Sequence, residues 1–400
     1  MVNDIYAQSE VYLSVKAGGS DFIGVGIGGF QAVQDTSGIY TGDSVQIFSV
    51  RNTLVNDLNE SGLFKVTTLS ESDSLEILPG GLFAQLRAAG AKYYLFGKIN
   101  NDGNSIAINL IDLKTALTIF NEEYIIHNAR PWSTAHVIVD DMIELFTGLR
   151  GCTASQIAFI NPYKAEDNEI YIIEADGHEK RRLSYSNSLS ISPNWSPDGK
   201  NVVFSSLIDK NWLLMMINVN TGQTQDISNW PGLNSTPSFS PVNPDIIAFS
   251  STRDGNSEIY TCRTDGKNLR RLTNHYRIDS SPSWSPDGKR IAFISDRSGQ
   301  PMIYIMNSDG SNVHRLTSSI NAYEDSPCWS PRGDRIAFVV LFDRSFDIAT
   351  ASPSGDDTVI LTSGAGSNEN PRWSPDGFKI VFSSTRLGGK NLFIMNSDGS

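Results

Sequence analysis

Residues 278–317 read IDSSPSWSPDGKRIAFISDRSGQPMIYIMNSDGSNVHRLT. Four short apolar segments alternate here with turn residues. The segment around Trp284 comes first. Pro286-Asp287-Gly288 follows, and glycine accepts the positive φ that a tight hairpin requires. Residues 290–295 are nearly all apolar, as expected of a strand covered on both faces. Residues 296–300 turn the chain, 302–306 make a third segment, Asp309-Gly310 is a second hairpin signal, and 313–317 are the fourth segment. Short segments rich in Ile and Val have the length and composition of strands, and none carries a helical period.

The unit repeats along the rest of the chain. Its aromatic-Ser-Pro marker falls at Trp195, Phe239, Trp284, Trp329 and Trp373, with gaps of 44, 45, 45 and 44. A strand carrying Phe recurs at Phe159, Phe204, Phe249, Phe293, Phe338 and Phe382, with gaps of 45, 45, 44, 45 and 44. Asp-Gly marks turns at Asp176-Gly177, Asp198-Gly199, Asp265-Gly266, Asp376-Gly377 and Asp398-Gly399. A period of about 40–50 residues built from short strands predicts a β-propeller, with one four-stranded sheet per repeat. Six Phe strands predict six blades. Five aromatic strands predict that the first blade, after Gly151, lacks its innermost strand. By the period, an outer strand for the last blade and a sixth aromatic strand would need about 20–30 residues beyond Ser400, so the natural protein is expected to continue.

The amino-terminal third does not repeat. Strands are expected at 22–27, 64–69, 92–99, 105–113 and 116–127. Helices are expected at 44–58, at 82–89 and at 131–147. The first helix carries Ile47, Val50, Leu54 and Leu58 on one stripe. The last offers Ser133 as a cap and Ile138, Met142, Leu145 and Phe146 to a core. The pattern predicts a compact α/β domain. The expected organisation is an extension at 1–21, an α/β domain at 22–150 and a six-bladed all-β propeller at 151–400.

Composition narrows the function. A net charge of −12 disfavours nucleic acid as a partner. No run of 18 apolar residues occurs to span a membrane. Residues 1–20 have neither the basic start nor the apolar centre of a signal peptide. Cys152, Cys262 and Cys328 show no metal or redox spacing, so inert thiols are expected. Gly24, Gly26 and Gly29 match a dinucleotide-type glycine pattern, but no helix start follows it. The five histidines are dispersed and no nucleophile-elbow motif is present, so no catalytic residue is assigned. Turn carboxylates are of the type that coordinates Ca²⁺, yet no spacing is specific for it, and neither metal nor cofactor is assigned. A monomer is expected.

The repeat at 278–317 and its sister copies resemble the TolB family of the Tol–Pal envelope system of Gram-negative bacteria. VYLSVKAGG and IGVGI within 11–27, LNESGLFKV at 58–66 and the α/β-then-propeller order extend the resemblance over the whole chain. The resemblance implies a periplasmic, non-enzymatic protein whose signal peptide has been removed. It implies binding of the lipoprotein Pal at one mouth of the propeller and of TolA through the amino-terminal stretch. It further implies support of outer-membrane integrity and of constriction at cell division.

Two candidate sites follow from the resemblance. Glu10, Val11, Tyr12, Leu13, Ser14, Val15 and Lys16 align with the TolA-binding stretch, and their alternating apolar residues suit strand addition to a sheet edge. The alternative is a first strand of the α/β domain behind a leader at 1–9. At the mouth, matching by distance from the Pro of each repeat points to Leu233, Thr236 and Ser280 as Pal-contacting positions, and Asn234 and Asn370 belong to the same segments. Asp279, Glu324, Asp325 and Glu369 are expected to ring the same mouth and to offer acceptors to a partner. The alternative is that such acids satisfy buried amides within each blade. Two further readings remain open: a glycan- or peptide-binding propeller, and the gating propeller of a peptidase with a catalytic domain elsewhere.

Overall fold

The computed structural model describes residues 12–13, 22–32, 44–68, 79–100, 104–127, 129–164, 167–186, 188–317, 323–342 and 344–400. The chain forms two compact units, 15–154 and 1–14 together with 155–400.

The first unit is a five-stranded sheet in the order Phe64–Thr68, Ile23–Ala32, Tyr93–Ile99, Ser105–Asp112, Thr118–Ile125. Its first two pairings are parallel and its last two antiparallel. Helices α1 (Ser44–Glu60) and α3 (Pro131–Thr147) cover one face, around Val25, Ile27, Leu54, Leu58, Leu95 and Ile138. Helix α2 (Pro79–Ala88) covers the other with Leu82 and Leu86. The α1 stripe expected from sequence is borne out, with Val50, Leu54 and Leu58 buried. Two details of α3 differ. Arg130 is the N-cap with Pro131 entering the helix, so Ser133 does not cap it. Leu145, although three residues from Met142 and seven from Ile138, is exposed in the last turn of the helix. Within this unit His136 Nδ1 meets Asp57 Oδ2 at 2.6 Å, tying α3 to α1.

The strand from Ile23 runs on to Ala32, so the glycine pattern lies inside a strand and not at the start of a helix. The glycines answer to packing instead. A Cβ on Gly24 would stand 2.2 Å from the Gly90 carbonyl oxygen, and one on Gly26 would stand 2.4 Å from Leu86.

The second unit is the six-bladed propeller. Among the described residues blade one has three strands, Gln156–Lys164, Asp167–Glu174 and Arg181–Arg182. Blades two to five each have four antiparallel strands, and the inner strands are Ser190–Trp195, Asn234–Phe239, Asp279–Trp284 and Glu324–Trp329. Blade six begins with Asn368–Trp373 and continues through Lys379–Ser384 and Asn391–Asn396.

The core of the propeller lies in the seams between blades. Alternate side chains of one central strand serve two seams. Ala292 and Ile294 join Trp329, Phe338 and Val340 of blade five, while Ile291 and Phe293 join Ala248 and Ile259 of blade three. This is the period-2 alternation of a strand buried on both faces. The repeat tryptophans serve the same seams: Trp284 Nε1 donates to the Ser238 carbonyl at 3.2 Å and Trp373 Nε1 to that of Cys328 at 3.0 Å.

The mouth of the propeller

The inner strands begin earlier than the Pro-x-aromatic motif. In blade four Asp279 pairs with Ser295 and Ser280 with Ile294, before the register shifts to Ser283 opposite Ala292. Ser281 and Pro282 thus bulge opposite one residue. Proline has no N–H for the ladder, and a bulge accommodates it. The residue before that proline has a positive φ in all five blades: Ser192, Thr236, Ser281, Ser326 and Asn370, between 50° and 57°. Apart from Leu233, which stands just ahead of its strand, the candidate residues at this end are therefore among the first residues of strands. Their neighbours at this end are the turns between second and third strands, because Asn234 lies opposite Ser251 and Asn368 opposite Ser384.

Strand alternation divides the candidates into two groups. The first residue of each inner strand points into a seam. Asn234, Asp279, Glu324 and Asn368 are all fully buried. Asn234 Nδ2 donates to the carbonyls of Trp212 at 2.9 Å and Trp230 at 3.0 Å in the preceding blade. Both carboxylate oxygens of Asp279 accept from Arg297 Nη2, at 3.1 and 2.8 Å. Glu324 accepts from the Ile303 N–H at 3.0 Å and from Thr317 Oγ1 at 2.6 Å.

The part played by Glu324 follows from a comparison of repeats. In blade three the third strand opens with Glu258, and in blade five Asp347 holds the matching place; each accepts from a threonine just past the outer strand, Thr273 at 2.5 Å or Thr362 at 2.8 Å. Blade four has Met302 at that position, and Glu324 of blade five supplies the carboxylate across the seam. Burial pushes the carboxyls of Glu324 and Asp279 above their ordinary values, opposed at Glu324 by Thr317 and at Asp279 by Ser295 and Arg297. Asp279 and Glu324 are accordingly seam residues and do not face a partner, which corrects the expectation that they ring the mouth.

The second group is accessible. Leu233 and Asn370 are exposed, and Thr236, Ser280, Asp325 and Glu369 are half-buried. Leu233 is held by Thr252, whose Oγ1 accepts its N–H at 2.8 Å. Thr236 Oγ1 lies 2.7 Å from Ser250 Oγ. Asp325 accepts from the Tyr323 hydroxyl at 2.8 Å, and Glu369 from Lys390 at 2.9 Å.

The structure adds residues that the motif does not reveal. Tyr185, Tyr276, Ile278, Leu341, Phe342 and Leu387 are exposed large side chains, all in or beside the segments at this end of the blades. The signal available in the sequence was an apolar residue just ahead of an inner strand, as at Ile278, but the repeat alone does not tell which way it points.

Of the amino-terminal candidates, Tyr12 and Leu13 form a short strand parallel to Asn391–Asn396, Tyr12 opposite Phe393 and Leu13 opposite Ile394. It takes the outer place in blade six, a place the sequence reading assigned to residues beyond Ser400. It does not join the α/β sheet. Glu10, Val11, Ser14, Val15 and Lys16 lie outside the described residues.

The family model for the TolB beta propeller domain matches residues 143–400. The TolB homolog of Chlorobium chlorochromatii (strain CaD3) is 31% identical over 299 residues, covering 72% of this chain and 64% of that protein. The Tol-Pal system protein TolB of Legionella pneumophila (strain Philadelphia 1) is 29% identical over 199 residues, covering 48% of this chain and 46% of that protein. The chain spans less than two thirds of the length of these relatives. The crystal structure of TolB from Acinetobacter baumannii matches with a TM-score of 0.79 at 26% identity, covering 95% of this chain and 92% of that one. A putative TolB from Agrobacterium tumefaciens matches with a TM-score of 0.51 at 26% identity, covering 58% of this chain and 86% of that one. With its propeller matched from end to end, the chain belongs to the TolB β-propeller family.

Proposed function

We propose that this protein is a non-enzymatic periplasmic component of a Tol–Pal system. It binds a Pal-type lipoprotein at the mouth of the propeller and TolA through the segment Glu10–Lys16, and so supports outer-membrane integrity and envelope constriction. The observation that carries the reading of the mouth is the gathering of exposed apolar side chains at one end of the blades, including Leu233, Tyr276, Ile278 and Phe342. Contiguous exposed apolar surface rimmed by polar groups is characteristic of partner sites. The amino-terminal reading is supported by Tyr12–Leu13, which already adds to a sheet edge through backbone pairing.

Calorimetric titration with the soluble domain of Pal from the same organism tests the first part. Binding by the intact protein is expected, and Leu233→Asp with Thr236→Arg should abolish it while the thermal midpoint stays near that of the parent. No binding by the intact protein would refute the Pal reading. Deletion of residues 1–16 should abolish capture of TolA and leave Pal binding measurable; retained TolA capture would refute the amino-terminal assignment.

A further inference from the structure

We propose that Tyr276 and Ile278, on the segment leading into blade four, are the principal anchor of the mouth for its protein partner. The proposal rests on the Pal reading above and names the residues that carry the binding energy. Tyr276 is 78% exposed and Ile278 52% exposed. Large side chains on a mobile loop would gain little on binding, because ordering them costs conformational entropy. This segment is held from below. Asn256 Nδ2 donates to the carbonyls of His275 at 2.7 Å and Arg277 at 2.8 Å. The His275 N–H donates to Glu258 at 2.7 Å, and the Ile278 N–H to Asp296 at 2.8 Å. Glu258 is itself fully buried and held by Arg271 at 2.8 Å.

The Tyr276 ring lies tilted against His275 with centroids 4.5 Å apart, and the Arg277 guanidinium lies 5.5 Å from its centre. The Tyr276 hydroxyl has no hydrogen bond among the described residues. The segment thus presents a pre-positioned aromatic with a polar tip, the residue type enriched where binding energy concentrates.

Comparison with the neighbouring blade isolates the feature. Six residues separate Ser228 from Asn234 and six separate Thr273 from Asp279, so Leu233 and Ile278 hold equivalent places. In the earlier segment Trp230 folds back to stack on Phe249 at 5.4 Å. In the later one the aromatic moves one position on and turns outward. Leu233, Ile278 and Tyr276 are thus exposed at matching or adjoining places of two neighbouring blades.

Charge identifies the chemistry of the occupant. Asp279 is neutralised within its own blade by Arg297, while Arg277 is nearly half exposed and only 3.9 Å from Asp296. The exposed charged side chain on the segment itself is Arg277, and its partner Asp296 is the less exposed of the two, on a chain of net charge −12. The face of the Pal-type domain that docks here would present an apolar socket edged by a carboxylate.

The test is calorimetry with the soluble Pal domain at two salt concentrations. Tyr276→Ala is expected to weaken binding by about thirtyfold or more, Ile278→Ala by about fivefold to tenfold, and Tyr276→Phe by less than about threefold. Arg277→Glu should weaken binding at low salt and less so at high salt. None should shift the thermal midpoint appreciably, since the side chains are exposed. Tyr276→Ala binding within about twofold of the parent, while Leu233→Asp with Thr236→Arg abolishes binding, overturns this inference and leaves the Pal reading standing. No binding by the intact protein overturns both.

Discussion

Glu324 shows at the scale of one residue what a repeat can conceal. Read as a mouth acid, it would be expected at the surface; in the fold it completes the neighbouring blade. Its removal leaves the Ile303 N–H and the Thr317 hydroxyl buried without their acceptor. Glu324→Leu is therefore expected to cost about 2–3 kcal/mol in urea denaturation; a loss below about 0.5 kcal/mol would show that the seam repacks freely. The pH dependence has a defined sign. Burial raises the carboxyl above its ordinary 4.5, so the folded state holds the proton more tightly than the unfolded state. The associated stability is present below 4.5 and is lost as pH rises through the raised value. Lowering the pH from 7 toward 4.5 should thus raise the thermal midpoint through this residue once the raised value is passed, and Glu324→Gln should flatten that part of the profile. An identical profile for the two proteins would contradict the assignment. Turn aspartates such as Asp287 and Asp309, held low by serine hydroxyls and backbone N–H groups, act in the opposite sense near and below 3.8.

At the scale of the element, the hairpins between third and fourth strands, Asp-Gly at 265–266 and 309–310 and Ser-Gly at 354–355, do more than reverse the chain. A Cβ on Gly266 would stand 2.4 Å from the Ile227 carbonyl oxygen, one on Gly310 2.5 Å from that of Leu272, and one on Gly355 1.9 Å from that of Leu316. Each hairpin therefore rests directly on the outer-strand backbone of the preceding blade. Gly299 also has a positive φ, but open space surrounds its missing side chain. Gly299→Ala should cost about 1–2 kcal/mol from backbone strain alone. Gly310→Ala should cost that amount and a further ~1–3 kcal/mol for displacing the Leu272 backbone. Equal losses for the two, measured by chemical denaturation, would remove the inter-blade role of the hairpin. The Asp-Gly signal was legible as a turn; that the glycine is also required by the next blade was not, because the opposing atom lies about 40 residues away.

At the scale of the whole molecule, the propeller is stabilised by contacts between repeats, so access to its interior reports on the opening of seams. Cys262 is buried between blades two and three, and burial, with a smaller effect of Asp265, pushes its thiol up to about 12. The native protein at neutral pH should leave Cys262 unreacted with a thiol reagent, and labelling should follow the unfolding rate. Rapid labelling of Cys262 in the folded protein would mean that this seam opens locally.

The sequence by itself determined the architecture. A period kept by two independent markers imposes identical strands at identical spacing, and the apolar run at 290–295 could be satisfied only by covering on both faces. The limits of α3 were equally legible, since Pro131 opens it and Gly148 closes it in the left-handed conformation. Tertiary structure alone decided which members of a repeated position face solvent. Asp279 and Asp325 look alike as acids ahead of a proline, yet one residue of strand register sends the first into a seam and leaves the second at the surface. Likewise Tyr276 points outward where Trp230 folds inward, and Tyr12–Leu13 pairs with a strand almost 400 residues away. Period and turn chemistry are local properties carried by every copy of the repeat. Burial and partnership depend on which blade stands next, and that is settled only when the blades pack.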